Sequence, residues 1–423
     1  MKENKRAVWS WAFYDWGNSA YSTTVMAGFF PLFFKEYWAD PHNPNQSTFY
    51  LGMANSIASI VVASLAPLLG SIADQGSAKK KFLIFFSFMG VIMTGGLWMV
   101  SQGNWQMAVL FYVIATIGFA SGNVFYDSLL PGLASEERVD IVSSLGFGLG
   151  YLGGGLLFLV NVFMYLKPEI FGISDGSMAI KLSFLSVAVW WAVFTIPLIL
   201  FVPEPKNYDA VDIKNAIQMG WIQLIQTFDE IRNMKVVGTF LLAYFFYIDG
   251  VDTIIKMAVD YGMSLNFSGE SLIIALLIVQ FVAFPAALIY GQLASKVGIK
   301  TAIMIGIIAY SFITFLGYFI TKAWHFYVLA ILIGLFQGGI QALSRSLYTR
   351  IIPAEKSAEF FGFYNMLGKF AAIIGPALMG TISLVTGSAR LGILSILLLF
   401  ILGAFFLNKV DLDEGKRLAA DGL

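Results

Sequence analysis

Twelve long apolar segments leave this chain very few folds to adopt. Each has the roughly 20 residues that an α-helix needs to cross a bilayer, and each is too long and too continuously apolar for a barrel strand of about ten alternating residues. Because only helices and closed barrels satisfy the backbone inside lipid, the sequence predicts an all-α polytopic membrane protein. The segments, numbered here as helices 1 to 12, lie near residues 12–38, 50–73, 82–101, 106–128, 142–166, 180–202, 236–260, 271–295, 300–321, 324–348, 357–386 and 389–408.

Composition supports this class and excludes several functions. The chain is 58% hydrophobic and 12% charged, against about 45–50% apolar and about 25% charged residues in soluble domains. Its net charge of zero indicates no nucleic-acid partner, and the absence of cysteine excludes disulfides and thiolate metal sites. The sequence holds no Gly-Lys-Ser/Thr phosphate loop, no metal-ligand spacing and no nucleophile arrangement, so we expect neither an enzyme nor a cofactor or metal.

The distribution of basic residues predicts the orientation. If the N terminus is cytoplasmic, 18 of the 26 Lys and Arg residues lie in loops and tails on the cytoplasmic side. Such loops stay inside in membrane proteins. We therefore expect both termini in the cytoplasm and the chain in a cytoplasmic (inner) membrane, surrounded by lipid and working as a monomer.

An internal repeat divides the chain into two halves. The loop at residues 70–81 aligns with the loop at residues 291–300 at an offset of 221, and at an offset of 222 Pro131 meets Pro353. Six helices are therefore repeated in parallel orientation. We expect two pseudo-symmetric six-helix bundles at residues 1–203 and 236–423, the second with a short cytoplasmic tail, joined by a cytoplasmic linker at residues 204–235 that contains an amphipathic helix.

Helix 7 carries the most unusual feature, a stripe of charges in an apolar span. It contains Asp249, Asp252, Lys256 and Asp260, and an ionisable residue at membrane depth costs about 2.5–3.5 kcal/mol. The single Lys can neutralise only part of this charge, and Asp249 lies near the bilayer centre. Burial away from a cation allows protonation during a cycle, so Asp249 or Asp252 is the candidate for proton coupling. The alternative is that Asp249 pairs permanently with Lys369 of helix 11 and only locks the helices together.

Other polar residues in the spans predict a solute site and a gate. A shared cavity wall is expected from residues on helices 1, 4, 7, 10 and 11, namely Asn18, Tyr21, Asn123, Tyr126, Asp249, Asp252, Lys256, Gln337, Gln341, Asn365 and Lys369. Arg345 lies close to the cytoplasmic end of helix 10. Its guanidinium can form an inner gate with Asp127 or Asp15, can bind a solute carboxylate, or can extend to the lipid headgroups.

Four sequence motifs resemble known families. The loop Gly-x-x-x-Asp-x-Gly-x-x-Lys-Lys-Lys at residues 70–81 resembles the signature loop of the major facilitator superfamily. Residues 11–21, 249–253 and 341–346 resemble the branch that includes the vacuolar amino-acid effluxers of autophagy and uncharacterised bacterial relatives. The resemblance implies a central cavity lined mainly by helices 1, 4, 7 and 10. It also implies that Asp74 closes the seam between helices 2 and 11, a role that Ser295 in the second loop copy cannot share.

These observations predict a secondary active transporter that moves a small polar or zwitterionic, amino-acid-like solute by alternating access. Separated anionic and cationic residues around one cavity favour a solute that carries both charges, and protons are the expected coupling ion. The first alternative is an exporter of amphipathic compounds, lipids or peptides with the same architecture. The second alternative, from another class, is a non-transporting membrane receptor or scaffold.

Overall fold

The computed structural model describes residues 4–39, 44–204, 234–265 and 267–420, and all regular elements in these ranges are helices. The predicted linker helix falls in residues 205–233, which lie outside the described residues. The long helices are α1 (residues 5–38), α2 (Pro44–Gln75), α3 (Lys79–Gly96), α4 (Trp105–Ser128), α5 (Val139–Leu166), α6 (Gly176–Phe201), α7 (Lys235–Ser264), α8 (Gly269–Val297), α9 (Ile299–Gly317), α10 (Ala323–Ile351), α11 (Ser357–Thr386), α12 (Ala389–Ser395 and Leu397–Asn408) and α13 (Leu412–Ala420). Short helical turns occur at Leu97–Met99, Leu130–Leu133, Pro168–Phe171 and Ala354–Lys356.

Helix α1 combines two kinds of helical turn. Its first segment, Lys5–Ala20, is α-helical, whereas Tyr21–Phe29 and Phe34–Trp38 are wider π-helical turns. In these turns the amide of Phe30 donates to the carbonyl of Val25, five residues earlier, and Ala39 donates to Phe34 in the same way. Such turns are rare and occur often at functional sites.

The predicted class of an all-α polytopic membrane protein is confirmed. In the described ranges, eleven helices, α2 to α12, are long and apolar enough to cross a membrane, and the continuous helical run of α1 gives a twelfth path. The predicted segments agree with the observed helices to within a few residues at most ends. This agreement is expected, because hydrophobic length is the strongest local signal of a spanning helix.

Among the described residues, the helices pack in two groups that meet along several seams. In the first half α1 packs on α5 and α6, and α3 packs on α4 and α6; in the second half α8 packs on α10, and α7 on α11 and α12. The halves meet where α2 packs on α11 and where α5 packs on α8 and α10. At the first of these seams Gly70 allows close approach, because a Cβ there would lie 2.3 Å from the carbonyl oxygen of Ala358.

Both described chain ends lie on one face of the molecule, called here the terminal face. Arg6 at the start of α1 lies over the ring of Phe201 at the end of α6, with 3.5 Å between the guanidinium carbon and the ring centroid. Lys416 of α13 contacts Glu136 of the loop between α4 and α5. The contact between Lys416 and Glu136 joins the two halves at this face. It would close, on this side, the central cavity that the sequence resemblance implies, which is called here the crevice.

Candidate functional site

Arg345 of α10 lies at the centre of a buried group of hydrogen bonds between the two halves. Its Nη1 donates to Oδ1 of Asp127 on α4 at 2.9 Å, its Nε donates to Oγ of Ser143 on α5 at 2.9 Å, and its Nη2 donates to the carbonyl oxygen of Ser143 at 2.8 Å. These bonds join the second half to the first. Of the partners considered from the sequence, the structure brings Asp127 to Arg345.

Aromatic rings enclose this guanidinium. Its central carbon lies 4.3 Å from the ring centroid of Phe147, 4.9 Å from that of Trp11 and 5.4 Å from that of Tyr126. Arg345 as a whole is 2% exposed, so its side chain does not extend to the headgroups. The charge is held away from water by carboxylate, hydroxyl and ring contacts, each of which favours a cation in a dry site.

A second charged layer lies nearer to the terminal face and was not predicted from the sequence. Nη2 of Arg350 lies 2.9 Å from Oδ2 of Asp140, and Nη1 lies 3.6 Å from Oε1 of Glu136. Lys416 also lies 2.6 Å from this oxygen of Glu136. The bond from Lys416 holds the pKa of Glu136 below its ordinary value. This pair could have been predicted from the sequence, because the two residues have opposite charges and lie near the same face of the membrane. Asp140 is in the first turn of α5, and Arg350 is in the last turn of α10.

The seam between α2 and α11 holds a third closing contact. The carboxylate of Asp74, at the end of α2, accepts hydrogen bonds from the backbone amides of Glu359 at 2.9 Å and Ala358 at 3.3 Å. It also lies 2.7 Å from Nζ of Lys79, which in turn donates to Oγ of Ser357 at 2.7 Å. The first turn of a helix favours an anion, so Asp74 is well placed to hold α11 against the first half.

The first half supplies a polar wall with one carboxylate that lacks a cation. Nδ2 of Asn18 donates to Oδ1 of Asn123 at 2.7 Å. Half-buried Asp15 accepts from Ser19 at 3.2 Å and from the hydroxyl of Tyr126 at 3.5 Å, and among the described residues no cation lies within 4.0 Å of it. The structure thus brings four of the predicted residues close together. Of these, Asp15 and Asn123 are partly accessible, whereas Asn18 and Tyr126 are buried.

Tyr21 lies elsewhere than on this wall. Its side chain is fully buried, and its hydroxyl lies 2.8 Å from Oγ1 of Thr116 inside the first half. Tyr21 therefore contributes to the packing of α1 on α4 in this state.

The second half brings amides to the same crevice. The hydroxyl of Tyr151 on α5 donates to Oε1 of Gln341 on α10 at 2.6 Å. Oε1 of Gln337, one turn further, is buried without a hydrogen-bond partner in the described structure. Nδ2 of Asn365 donates to the carbonyl oxygen of Phe361 on its own helix at 3.0 Å. Tyr151 was missed from the sequence because a lone tyrosine on a glycine-rich helix carries no local signal of a contact across the crevice.

On α7 the charges do not pair as the sequence suggested. Asp249 is fully buried, and its Oδ1 accepts from the amide of Gly375 at 2.9 Å and from Thr253 at 3.2 Å, while Oδ2 has no partner among the described residues. The alternative considered from the sequence, a permanent ion pair between Asp249 and Lys369, is not present among the described contacts. Lys369 precedes Gly375 by six residues, which is about 9 Å along the helix and on another face.

The remaining charges of the stripe stay apart. Within the described chain, neither half-buried Asp252 nor exposed Lys256 has an oppositely charged atom within 4.0 Å. Both lie within electrostatic range of Lys369. The side chain of Asp260 lies outside the described part. Among the described residues, Asp15 in the first half and Asp252, Lys256 and Lys369 in the second half are therefore charged residues without an ion-pair partner within 4.0 Å.

Comparison with known proteins identifies similar chains. Residues 42–420 match the family model described as "Vacuole effluxer Atg22 like". An uncharacterized MFS-type transporter of Bacillus subtilis, YxiO, is 41% identical over 412 residues, which cover 97% of this chain and 96% of that protein. Autophagy-related protein 22 of Saccharomyces cerevisiae is 27% identical over 416 residues, covering 86% of this chain and 77% of that protein.

Solved structures share the fold at low sequence identity. The proton:xylose symporter XylE, bound to 6-bromo-6-deoxy-D-glucose, matches with a TM-score of 0.73 and 16% identity over 98% of this chain and 97% of that chain. The human organic anion transporter MFSD10 matches with a TM-score of 0.70 and 14% identity over 95% of this chain and 99% of that chain. The first of these two proteins is described as a major facilitator superfamily symporter.

Proposed function

The chain belongs to the Atg22-like family of major facilitator superfamily transporters, and from this premise we propose that it carries small zwitterionic, amino-acid-like solutes. One observation carries the proposal. Asp15 on the first half and Lys369 on the second are charged residues of opposite sign, and neither has an ion-pair partner in the described structure. A solute with an ammonium and a carboxylate group would satisfy both and would draw the two halves together.

The proposed path uses the contacts already described. With the terminal face closed, a solute enters from the opposite face and reaches the level of Tyr151 and Gln341. Its ammonium binds Asp15, and its carboxylate binds Lys369 with help from Lys256. The terminal face is proposed to be cytoplasmic, since it carries most of the basic loops, and Arg345 with Asp127 forms the cytoplasmic gate.

Coupling to protons is part of the same proposal. Asp249 combines full burial, an oxygen without a partner and no cation within 4.0 Å among the described residues. A carboxylate in such a setting can take up and release a proton as its surroundings change. Alternating access would then be a rocking of the residues 1–203 against the residues 236–423, with the linker at residues 204–235 following the motion.

The test uses purified protein and a matched set of solutes. Proteoliposomes loaded with phenylalanine, and separately with an equimolar mixture of all common amino acids, are assayed for counterflow of labelled solute. We expect counterflow with at least one amino acid, loss of affinity for it in Asp15→Asn and Lys369→Gln, and no counterflow of phenethylamine or 3-phenylpropionate, which carry one charge each. Equal transport of the singly charged analogues would refute the zwitterion proposal.

A second candidate, export of amphipathic compounds, is supported by one feature. A pocket lies among α7 to α12, towards the face opposite the termini, and its lining is almost entirely apolar. Its wall includes Ile254, Met257, Leu276, Val279 and Phe326. Transport of an alkyl-chain solute that is abolished by Val279→Trp, with amino acids inactive, would favour this candidate.

A further inference from the structure

The carboxylate of Asp249 links two helices at mid-membrane. Its Oδ1 accepts a hydrogen bond from the backbone amide of Gly375 on α11 at 2.9 Å, and Thr253, one turn further along α7, donates to the same oxygen at 3.2 Å. Asp249 and Thr253 are both 0% exposed. The bond is therefore an interhelical contact made by one carboxylate oxygen in a dry environment.

On α11 this bond is made at a weak point of the helix. Pro376, directly after Gly375, lies inside the helix Ser357–Thr386. A proline removes one intrahelical hydrogen bond and favours a bend. Gly375 is required for the contact, because a Cβ there would lie 1.9 Å from Oγ1 of Thr253 and 2.7 Å from Oδ1 of Asp249.

Among the residues that the structure describes, no cation of a neighbouring helix forms an ion pair with Asp249. On its own helix the charged groups in electrostatic range are Asp252 and Lys256, and on α11 Lys369 forms no ion pair with it. The α12 segment Leu397–Asn408 contains no charged residue and packs a phenylalanine ring on Gly250. On α10, Arg345 is engaged with Asp127. The charged groups of α8 and α9 with described side chains, Lys296 and Lys300, lie at the terminal face.

We propose that Asp249, Thr253 and Gly375 form a proton-controlled clasp, which holds α11 against α7 while Asp249 is charged and lets their outer halves separate when Asp249 is neutral. A hydrogen bond to a carboxylate is roughly twice as strong as a bond between neutral groups. Protonation therefore weakens the contact at the point where α11 bends most easily. The outer halves of these helices border the face opposite the termini, so proton binding there changes access to the crevice.

This inference rests on the proposed coupling role of Asp249, but its test requires no solute. Because the chain has no cysteine, spin labels can be placed at Met263→Cys and Leu384→Cys, near the outer ends of α7 and α11, where the native side chains are 61% and 84% exposed. Their distance distribution is measured by pulsed electron spin resonance in liposomes without solute. Between about pH 8 and about pH 5 we expect the population of the longer distance to rise about five- to tenfold.

Two variants separate the clasp from a general response to pH. Asp249→Asn should show the longer distance at every pH. Gly375→Ala breaks the clasp by its added methyl group and should also show the longer distance at every pH. Gly380→Ala is the matched control, because a Cβ at that position of α11 has no neighbour within 4 Å.

The outcomes are decisive in both directions. A distance distribution that does not change with pH in the wild type, a wild-type pH response in Asp249→Asn, or equal behaviour of Gly375→Ala and Gly380→Ala would each overturn the clasp. Failure of the amino-acid counterflow assay would leave these measurements unaffected, since no solute enters them. If the clasp responds to pH as expected but the protein transports no amino acid, the proposed role of Asp249 stands and only the proposed solute is rejected.

Discussion

Asp127→Asn tests the closed gate most directly. The side chain of Arg345 is 3% exposed and that of Asp127 is 11% exposed, so water cannot replace the lost charge in the closed state. Removing one partner of a buried ion pair costs about 3–5 kcal/mol. The Asn side chain still accepts one hydrogen bond, and Ser143 still binds the guanidinium, so we expect the lower end of this range. About 3 kcal/mol corresponds to a shift of roughly 100-fold towards the state that is open at the terminal face.

The shift in the equilibrium between closed and open states can be measured by the rate at which a reagent labels a single introduced cysteine. Gly368→Cys places it on half-buried α11, where the nearest atom to a Cβ is 3.5 Å away. Vesicles with the terminal face outward are treated with a membrane-impermeant maleimide, and the labelling rate is compared between this parent and the Asp127→Asn variant. We expect the rate to rise by up to roughly 100-fold, because labelling follows the open population while opening is rare.

A double variant controls for general damage. Replacing both partners, as in Asp127→Asn with Arg345→Met, removes the unpaired cation, and such replacements of buried pairs are often nearly neutral. Its labelling rate should fall back towards that of the parent. The reasoning fails if Asp127→Asn labels at the parent rate, or if the double variant labels as fast as the single one.

Three further predictions concern other contacts between the two halves. Gly70→Ala forces a methyl group against a carbonyl of α11 and should lower stability by about 1–3 kcal/mol, measured by thermal unfolding. Gly132→Ala is the control and should unfold like the wild type, because a Cβ at that position has no neighbour within 4 Å. Lys416→Gln should lower stability by at most about 1 kcal/mol at neutral pH. The pKa of Glu136 is lowered in the folded state. The contribution of this ion pair to stability is therefore present at pH values above the ordinary range of Glu pKa values and is lost as the pH falls through the lowered pKa. The effect of Lys416→Gln on stability should vanish in acid, and an effect that persists there contradicts the pairing. Tyr151→Phe deletes the hydrogen bond between α5 and α10 and should weaken solute affinity in counterflow without changing gate labelling; a faster labelling rate would place Tyr151 in the gate instead.

The sequence was sufficient for the helices and for one gate contact. Hydrophobic length is a local property, so the spans could be predicted to within a few residues at most ends. The pairing of Arg345 with Asp127 could be anticipated as one of a few options, because both residues lie near the same end of their helices. The sequence around these residues does not show whether Asp127 or Asp15 is the partner of Arg345, because that depends on how α1 and α4 are rotated relative to α10.

The bonds of Asp249 show where such prediction stops. Its depth followed from counting residues along helix 7, but its partner is a backbone amide, and every residue except proline carries one. Only the approach of α11 at Gly375 makes that amide available. The ion pair of Arg350 and Asp140 was missed for a related reason. Basic residues near helix ends were interpreted only as evidence of membrane orientation. Which acid lies opposite Arg350 depends on how the two halves align, and this alignment is known only from the structure.

The closed state connects the gate to the crevice mainly through α10. Gln337, Gln341 and Arg345 recur every four residues and so share one face of this helix, which places the amide that meets Tyr151 one turn from the gate cation. Arg350, further along the same helix, belongs to the second charged layer near the terminal face. All acids that these two cations contact belong to the first half, so α10 cannot shift alone without breaking both layers. A solute that pulls on Gln341 would therefore act on the gate through the rigid helix itself, and no additional contact between the crevice and the terminal face is required.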